Sequence, residues 1–255
     1  MSRISLALAG ALVAATLAVA PVWAAEEAPK PKDQNWSFDG VFGTFDRAQL
    51  KRGWQVYKQV CANCHSVNQL HYRNLVEIGY TEAEAKEIAA ADTVPGGTDD
   101  SGEPVTRPGQ LSDKILRPFA NEKAARTANN GAFPPDLSLI TKARKNGPDY
   151  LYALLIGYKE PPTGFQMQQG MNYNEMFPGH QIAMPPPLAD GQVAYDDGTT
   201  NSVEQMARDV TAFLAWAAEP ELEDRKRLGI KVILFLLVLT GLLFALKRRV
   251  WSDVH

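Results

Sequence analysis

The chain has 255 residues, with 26 Lys and Arg against 29 Asp and Glu and a formal charge of −3. The charge is unevenly spread, because residues 25 to 224 hold 28 acidic against 18 basic side chains. A stretch so acidic repels nucleic acid and anionic headgroups; its charge serves either to attract a basic partner or only to keep it soluble.

In chain order, the first element is Arg3 followed by an apolar run from Ile4 to Ala20 and then "PVWAAEE", where Val22 and Ala24 satisfy the small-residue rule for cleavage. Residues 1–24 read as a secretory signal, with a retained anchor as the alternative. The mature chain then starts at Ala25, outside the cytoplasmic membrane. The ~200 residues between this leader and the carboxyl-terminal span are enough for one domain with a sizeable core.

A helix is predicted over "FDRAQLKRGWQVYKQV". Asp46 is its N-cap, Gln49 stands at the box position, and Phe45 and Leu50 form a staple. Leu50, Trp54, Tyr57 and Cys61 recur at helical spacing and carry the thiol to the core.

The helix runs into "CANCH", which contains Cys61 and Cys64, the chain's two cysteines, followed by His65. A zinc knuckle needs a second donor pair, and His71, His180 and His255 do not form one. A thioredoxin-like couple needs a βαβ setting and no such histidine. A disulfide across so short a loop is strained and constrains little. The remaining chemistry is covalent haem attachment, with two thioethers to the porphyrin and the histidine on the iron.

Beyond the motif, "YTEAEAKEIAAA" predicts a helix capped by Thr81 with Glu84 in the box. Residues 92 to 110 are polar and rich in breakers, so they read as loop. A further helix covers "GPDYLYALLIGY". "GAFPPDLSL" and "IAMPPPLADG" set prolines beside apolar residues and read as stiff extended walls.

The opposite face of the iron decides the function, since a Met or His ligand closes the metal and leaves electron transfer. Met184 precedes Pro185, Pro186 and Pro187, so its loop is stiff enough to hold a weak ligand. His180 and Met167, Met171 and Met176 stay open as alternatives. Met206 falls on the apolar stripe of a last soluble helix, "NSVEQMARDVTAFLAWAAEP", and reads as core packing. That helix starts at a capping box of Ser202 and Gln205 and stops at Pro220. There is no internal repeat, and no strand of length stands out.

Leu228 to Leu246 is an apolar run of 19 residues, ~28 Å as a helix and long enough to cross a membrane. Basic clusters flank it at Arg225 to Arg227 and Lys247 to Arg249. They balance, so the exported amino terminus sets the orientation and residues 247–255 form a cytoplasmic tail, with Trp251 at the interface.

Taken together, "VCANCHSV", "YTEAEAKEIA", "NNGAFPPDLSLITKARKNGPDYLYALLIGYKEPPTG", "MFPGHQIAMPPPL" and "DVTAFLAWAAEPELEDRKRLG" before one span resemble the cytochrome c1 family of bacterial cytochrome bc1 complexes, in order along nearly the whole mature chain. The resemblance implies a mainly α fold: a cytochrome-c-like haem domain with long loops over residues 25–224, in the periplasm, and one transmembrane helix over 228–246 in the inner membrane. It implies one covalent heme c on Cys61 and Cys64, with His65 proximal and Met184 distal. Arg144 and Tyr150 match positions that contact a haem propionate, and Pro135 one that packs on the haem. It also implies a cytochrome b subunit, a Rieske iron-sulfur protein and a soluble basic cytochrome c as partners, within a homodimeric complex and with no nucleic acid.

Some bacterial members carry an additional cysteine pair or a long acidic extension, and this chain has neither. A docking face must then come from scattered carboxylates such as Glu160, Glu175, Asp190, Asp196 and Asp197. The function so implied is one-electron transfer from the Rieske protein to cytochrome c, without bond-making chemistry in this chain. The rivals are a tethered carrier feeding a terminal oxidase or nitric oxide reductase, whose anchor commonly precedes the haem domain, and a peroxidase, which needs an open iron.

Overall fold

The computed structural model describes residues 29 to 254, so the leader expected over residues 1–24 lies outside the described residues. Six α-helices dominate the described residues: α1 (Arg47–Gln59), α2 (Glu82–Ala90), α3 (Glu122–Ala128), α4 (Gly147–Ile156), α5 (Val203–Ala218) and α6 (Leu222–Val250). The fold is mainly α, as expected.

Helices α1 and α5 pack face to face and make the core. Leu50, Trp54, Val56 and Tyr57 of α1 meet Met206, Val210, Phe213 and Trp216 of α5, all nearly sealed from solvent. Trp54, Tyr57 and Trp216 each set a ring 5.7–5.8 Å from that of Phe213. Such ring pairs add to the stabilisation from burial alone. Gly53 permits the crossing: a Cβ there would lie 2.1 Å from the Asp209 carbonyl oxygen and 2.6 Å from the Phe213 Cβ.

Asp209 sits wholly buried at this crossing. Arg52 Nε donates to it at 2.9 Å, Gln49 Nε2 at 3.1 Å and Gln205 Nε2 at 2.9 Å. A buried carboxylate is tolerable only when its lone pairs are so filled. Burial pulls the Arg52 pKa down, but the hydrogen bonds to Asp209 and Asp197 outweigh it and raise it above the ordinary guanidinium value. The two glutamines were expected to close capping boxes. Asp46 does cap α1, accepting from Ala48 N at 2.9 Å, and Ser202 Oγ caps α5 through Gln205 N at 3.2 Å. Both glutamine side chains turn instead to Asp209, because a buried charge repays a donor more than an exposed helix end does.

Thr81 and Glu84 make the full box at α2. Elsewhere the sequence reading needs correction. Residues 92 to 110, expected as loop, hold an antiparallel hairpin of β1 (Thr93–Thr98) and β2 (Pro104–Pro108), with a bulge between Pro95 and Gly97. Its side chains are almost all exposed, so the ladder rests on backbone bonds that hydropathy cannot signal. A second, two-residue pair, β3 (Asn172–Tyr173) and β4 (Gln181–Ile182), precedes Met184. Helix α3 and the 3₁₀ segment Tyr72–Ile78 were also unforeseen; α3 is short and capped by Asn121 Oδ1 at 3.0 Å.

Helix α6 is longer than the predicted span. It has 29 residues, ~44 Å at 1.5 Å per residue, and its apolar segment is unburied along its length. It is the membrane anchor helix. Pro220 separates it from α5, and ionic contacts lock the joint: Arg47 grips Glu223 at 3.0 and 3.1 Å, Phe45 N donates to Glu223 at 2.8 Å, and Lys142 meets Glu219 at 2.8 Å.

Replacing Gly53 with Ala gains up to about 1 kcal/mol of helix propensity but forces two backbones apart. The expected net is a loss of about 1–3 kcal/mol, read from the denaturant midpoint of the detergent-solubilised full chain. On the hairpin, Arg107 forks onto Asp113 at 2.6 and 2.8 Å. Together with the Gln110 amide it holds that carboxyl down at about 2, from an ordinary 3.8. A depressed carboxyl contributes stability above its unfolded value and loses it as pH falls through the folded one. The protection of the β1 and β2 amides, taken as exchange relative to the intrinsic rate at the same pH, should therefore fall as pH drops from about 4 to about 2, and Arg107→Met should flatten that dependence.

Candidate functional site

Helix α1 ends at Gln59, and Cys61–Asn63 make one 3₁₀ turn, with the amides of Cys64 and His65 donating to the Cys61 carbonyl at 3.1 and 2.8 Å. This turn presents the three residues differently. Cys61 packs against the core, Cys64 is exposed and His65 is half-buried. Burial pushes the Cys61 thiol up to about 12. Both thiols are free.

His65 is held from two sides. Its Nδ1 lies 2.8 Å from the Pro135 carbonyl oxygen, and its own carbonyl accepts from Tyr57 Oη at 3.1 Å. With Nδ1–H donated to Pro135, Nε2 is the nitrogen left with a lone pair. Burial also holds the imidazole pKa below its ordinary value, against the pull of that carbonyl, which favours the neutral, ligating form.

Pro135 belongs to a clamp the sequence did not reveal. In "PDLS", Asp136 accepts from Ser66 Oγ at 2.7 Å and Asn68 N at 2.8 Å, and Ser138 N donates to its other oxygen at 2.9 Å. Leu137 N donates to the Ser66 carbonyl at 2.8 Å, and Gln69 N to Ser138 Oγ at 3.1 Å. Burial pushes the Asp136 carboxyl up, but the donors from Ser138, Asn68 and Ser66 outweigh it and hold it below the ordinary range. The available signal was an Asp two residues before a Ser, a turn-forming pattern. Its partner 70 residues earlier is invisible without the fold.

On the other arm, Met184 is half-buried on the loop after β4, and its carbonyl accepts from Tyr158 Oη at 3.1 Å. Tyr158 also bridges to Asn174, whose amide donates to the Leu154 carbonyl at 2.8 Å. The proline-stiffened loop is thus pinned to the end of α4. Of the other methionines, Met206 and Met176 are buried, Met167 is half-buried and Met171 exposed. His180 takes a positive φ of 57° and stacks on Tyr173 at 5.8 Å.

Tyr150 is buried in the first half of α4, and burial raises its phenol pKa while the nearby Arg144 charge opposes the rise. Arg144 itself is exposed and donates to the Ala143 carbonyl at 3.1 Å. Four of the five carboxylates considered for a docking face are engaged within the chain. Glu175 pairs with Lys159, Asp197 with Arg52 and Asp196 with Gln55, and Asp190 accepts from Val203 N. Among the described residues no three His, Cys, Asp or Glu side chains converge as a metal cluster.

A pair of thiols beside a neutral, oriented imidazole fits a covalent porphyrin, and comparison with known proteins gives the family. The cytochrome C1 family model matches residues 36–254. The chain belongs to the cytochrome c1 family. It is 52% identical to "Cytochrome c1 1, heme protein, mitochondrial" of Arabidopsis thaliana, over 97% of this chain and 82% of that protein. It is 50% identical to cytochrome c1 of Rhodospirillum rubrum, over 87% of each. A Candida albicans protein named cytochrome b-c1 complex catalytic subunit is 49% identical, over 91% of this chain and 81% of its own length. Members of the family carry one covalently bound c-type haem, and Cys61 and Cys64 stand at the haem-binding position.

Removing the Asp136 carboxylate strands at least three donors. Asp136→Ala should cost about 1–3 kcal/mol in the denaturant midpoint of the holoprotein, and Asp136→Asn, which keeps one acceptor oxygen, should cost less.

Proposed function

We propose that the chain accepts one electron from a Rieske iron-sulfur protein and passes it to a soluble cytochrome c during quinol oxidation. The single observation that carries this reading is the pairing of His65 Nδ1 with the Pro135 carbonyl. It orients a neutral imidazole next to two thiols, in a chain of the cytochrome c1 family.

In this reading Cys61 and Cys64 would hold a haem through thioethers, and His65 and Met184 would bind its iron. Pro135 would pack against it, and Arg144 and Tyr150 would bind a propionate. The bound haem supplies a one-electron couple whose potential a thioether ligand raises. The chain's residues do the rest. Pro135 and Tyr57 fix the imidazole, and Tyr158 with three successive prolines holds Met184 in place. Asp136 locks the segment after the motif. Such outer contacts tune a metal nearly as much as its ligands do. With both ligands supplied by the chain, the haem would serve one-electron transfer, and the chain would make no bonds itself.

The partners follow from relatives. One is named as a subunit of a cytochrome b-c1 complex, and a Bradyrhizobium diazoefficiens protein named "Cytochrome b/c1", 46% identical, is covered over only 40% of its length. Those names support cytochrome b as a partner; the Rieske protein and a homodimeric assembly belong to the same proposal through the family resemblance. The haem domain over residues 25–224 faces the periplasm of the bacterial inner membrane and the tail faces the cytoplasm, after removal of residues 1–24.

A denaturing gel should show haem-dependent peroxidase staining at the mass of this chain. Met184→Leu should lower the midpoint by on the order of 100 mV, within the ~0.8 V span that axial ligands command, and should admit carbon monoxide to the reduced iron. An unchanged midpoint and no carbon monoxide binding would remove Met184 from the iron. Gentle detergent extraction should bring a b-type cytochrome with the chain, and its absence would favour a tethered carrier for a terminal oxidase or nitric oxide reductase.

A further inference from the structure

Phe42 is 84% exposed, more than any other large hydrophobic side chain among the described residues, and its neighbour Val41 is 62% exposed. Side by side, the two make an exposed apolar tip. Both stand at the tip of a tight loop whose stem is fixed. Phe38 and Phe45 are buried, with ring centroids 4.8 Å apart. Thr44 N donates to the Ser37 carbonyl at 3.0 Å. Gly40 has a φ of +69°, and a Cβ at Gly43 would lie 1.9 Å from the Asp39 carbonyl oxygen, so the turn admits no other residue there.

The loop is tied to the anchor helix. Lys226 Nζ donates to the carbonyls of Phe38 at 2.6 Å and Gly43 at 3.0 Å, one on each side of the tip. Lys226 is two residues before Leu228, where the exposed apolar surface of α6 begins; two residues are ~3 Å of helix. The tip is therefore seated beside the point where the span enters the membrane. The flanking cations are neutralised within the chain, Arg225 by Glu219 and Arg227 by Asp224, so the apolar tip and not charge is what this edge offers a bilayer. Asp39, the loop's one acid, is turned back to accept from Trp36 N at 3.1 Å.

We propose that the Val41–Phe42 tip is a second membrane contact. Its two side chains enter the headgroup and upper acyl region of the bilayer, and α6 and this loop together fix the tilt of the haem domain on the membrane. Apolar and aromatic side chains favour that boundary, and continuity with the lipid-facing surface of α6 identifies the occupant as lipid.

The test uses the full-length holoprotein in vesicles of phosphatidylcholine and phosphatidylglycerol, with a nitroxide placed on Phe42→Cys and, separately, on Val41→Cys. Thioethers at Cys61 and Cys64 leave the introduced thiol as the labelling site. Reference labels go on Leu237→Cys in the span and Asp100→Cys on the exposed hairpin. The expected result is that labels at 41 and 42 are relaxed several-fold more by oxygen relative to a water-soluble nickel chelate than the label at 100. A ratio equal to that at 100 overturns the proposal. So does a label at 42 that is screened from both relaxants only when the chain is purified with other subunits, because the face then belongs to a protein. A label at 237 that behaves like that at 100 removes the anchor and the loop contact together.

Discussion

Helix α1 can hold a cysteine pair and a histidine at the edge of the core only because α5 lies directly against it. The approach is closer than most side chains would permit, and Gly53 supplies the missing volume where the Asp209 carbonyl passes. A buried carboxylate would ordinarily be a liability there. Gln205 fills it from within α5, and Arg52 and Gln49 reach across from α1 and make it a tie between the two helices, which also specifies their register, since a slip of one residue would take the charged donor away from it.

From that crossing the rest is built outward by short links. The amino-terminal strap is tied to α4 by Trp36 Nε1, which donates to Asp149 at 2.7 Å, and to α5 by Arg208 over the Trp36 ring at 4.8 Å. The segment after the motif is locked by Asp136, and the methionine loop is hung from Tyr158. Long loops are thereby held rigid without a disulfide. For a protein whose work is to keep a metal at constant geometry, rigidity matters more than the size of the core, because reorganisation around the iron would oppose each electron transfer.

The joint between α5 and α6 follows the same logic. Glu219 and Glu223 each hold basic partners from both sides of the junction, so the anchor helix is an extension of the domain and not a loose tether.

Much of this was legible in the residues. C-x-x-C-H can be satisfied by few chemistries, helical spacing in "LKRGWQVY" identifies the face of α1 that must be buried, and a run of 19 apolar residues has no soluble fate. These signals are local, because covalent spacing and side-chain periodicity are written within one or two turns of chain. The fold alone decided that Gln49 and Gln205 serve a buried aspartate instead of their own helix ends, that Pro135 offers its carbonyl to His65, and that Asp136 clamps a segment 70 residues away. The β1–β2 hairpin escaped for a related reason: a ladder of backbone bonds between exposed strands leaves no mark in side-chain hydropathy. The sequence by itself determined the C-x-x-C-H grouping and the one helix suited to lipid. Only the tertiary structure decided which nitrogen of His65 keeps its lone pair, because that depends on a carbonyl brought from a distant loop by packing.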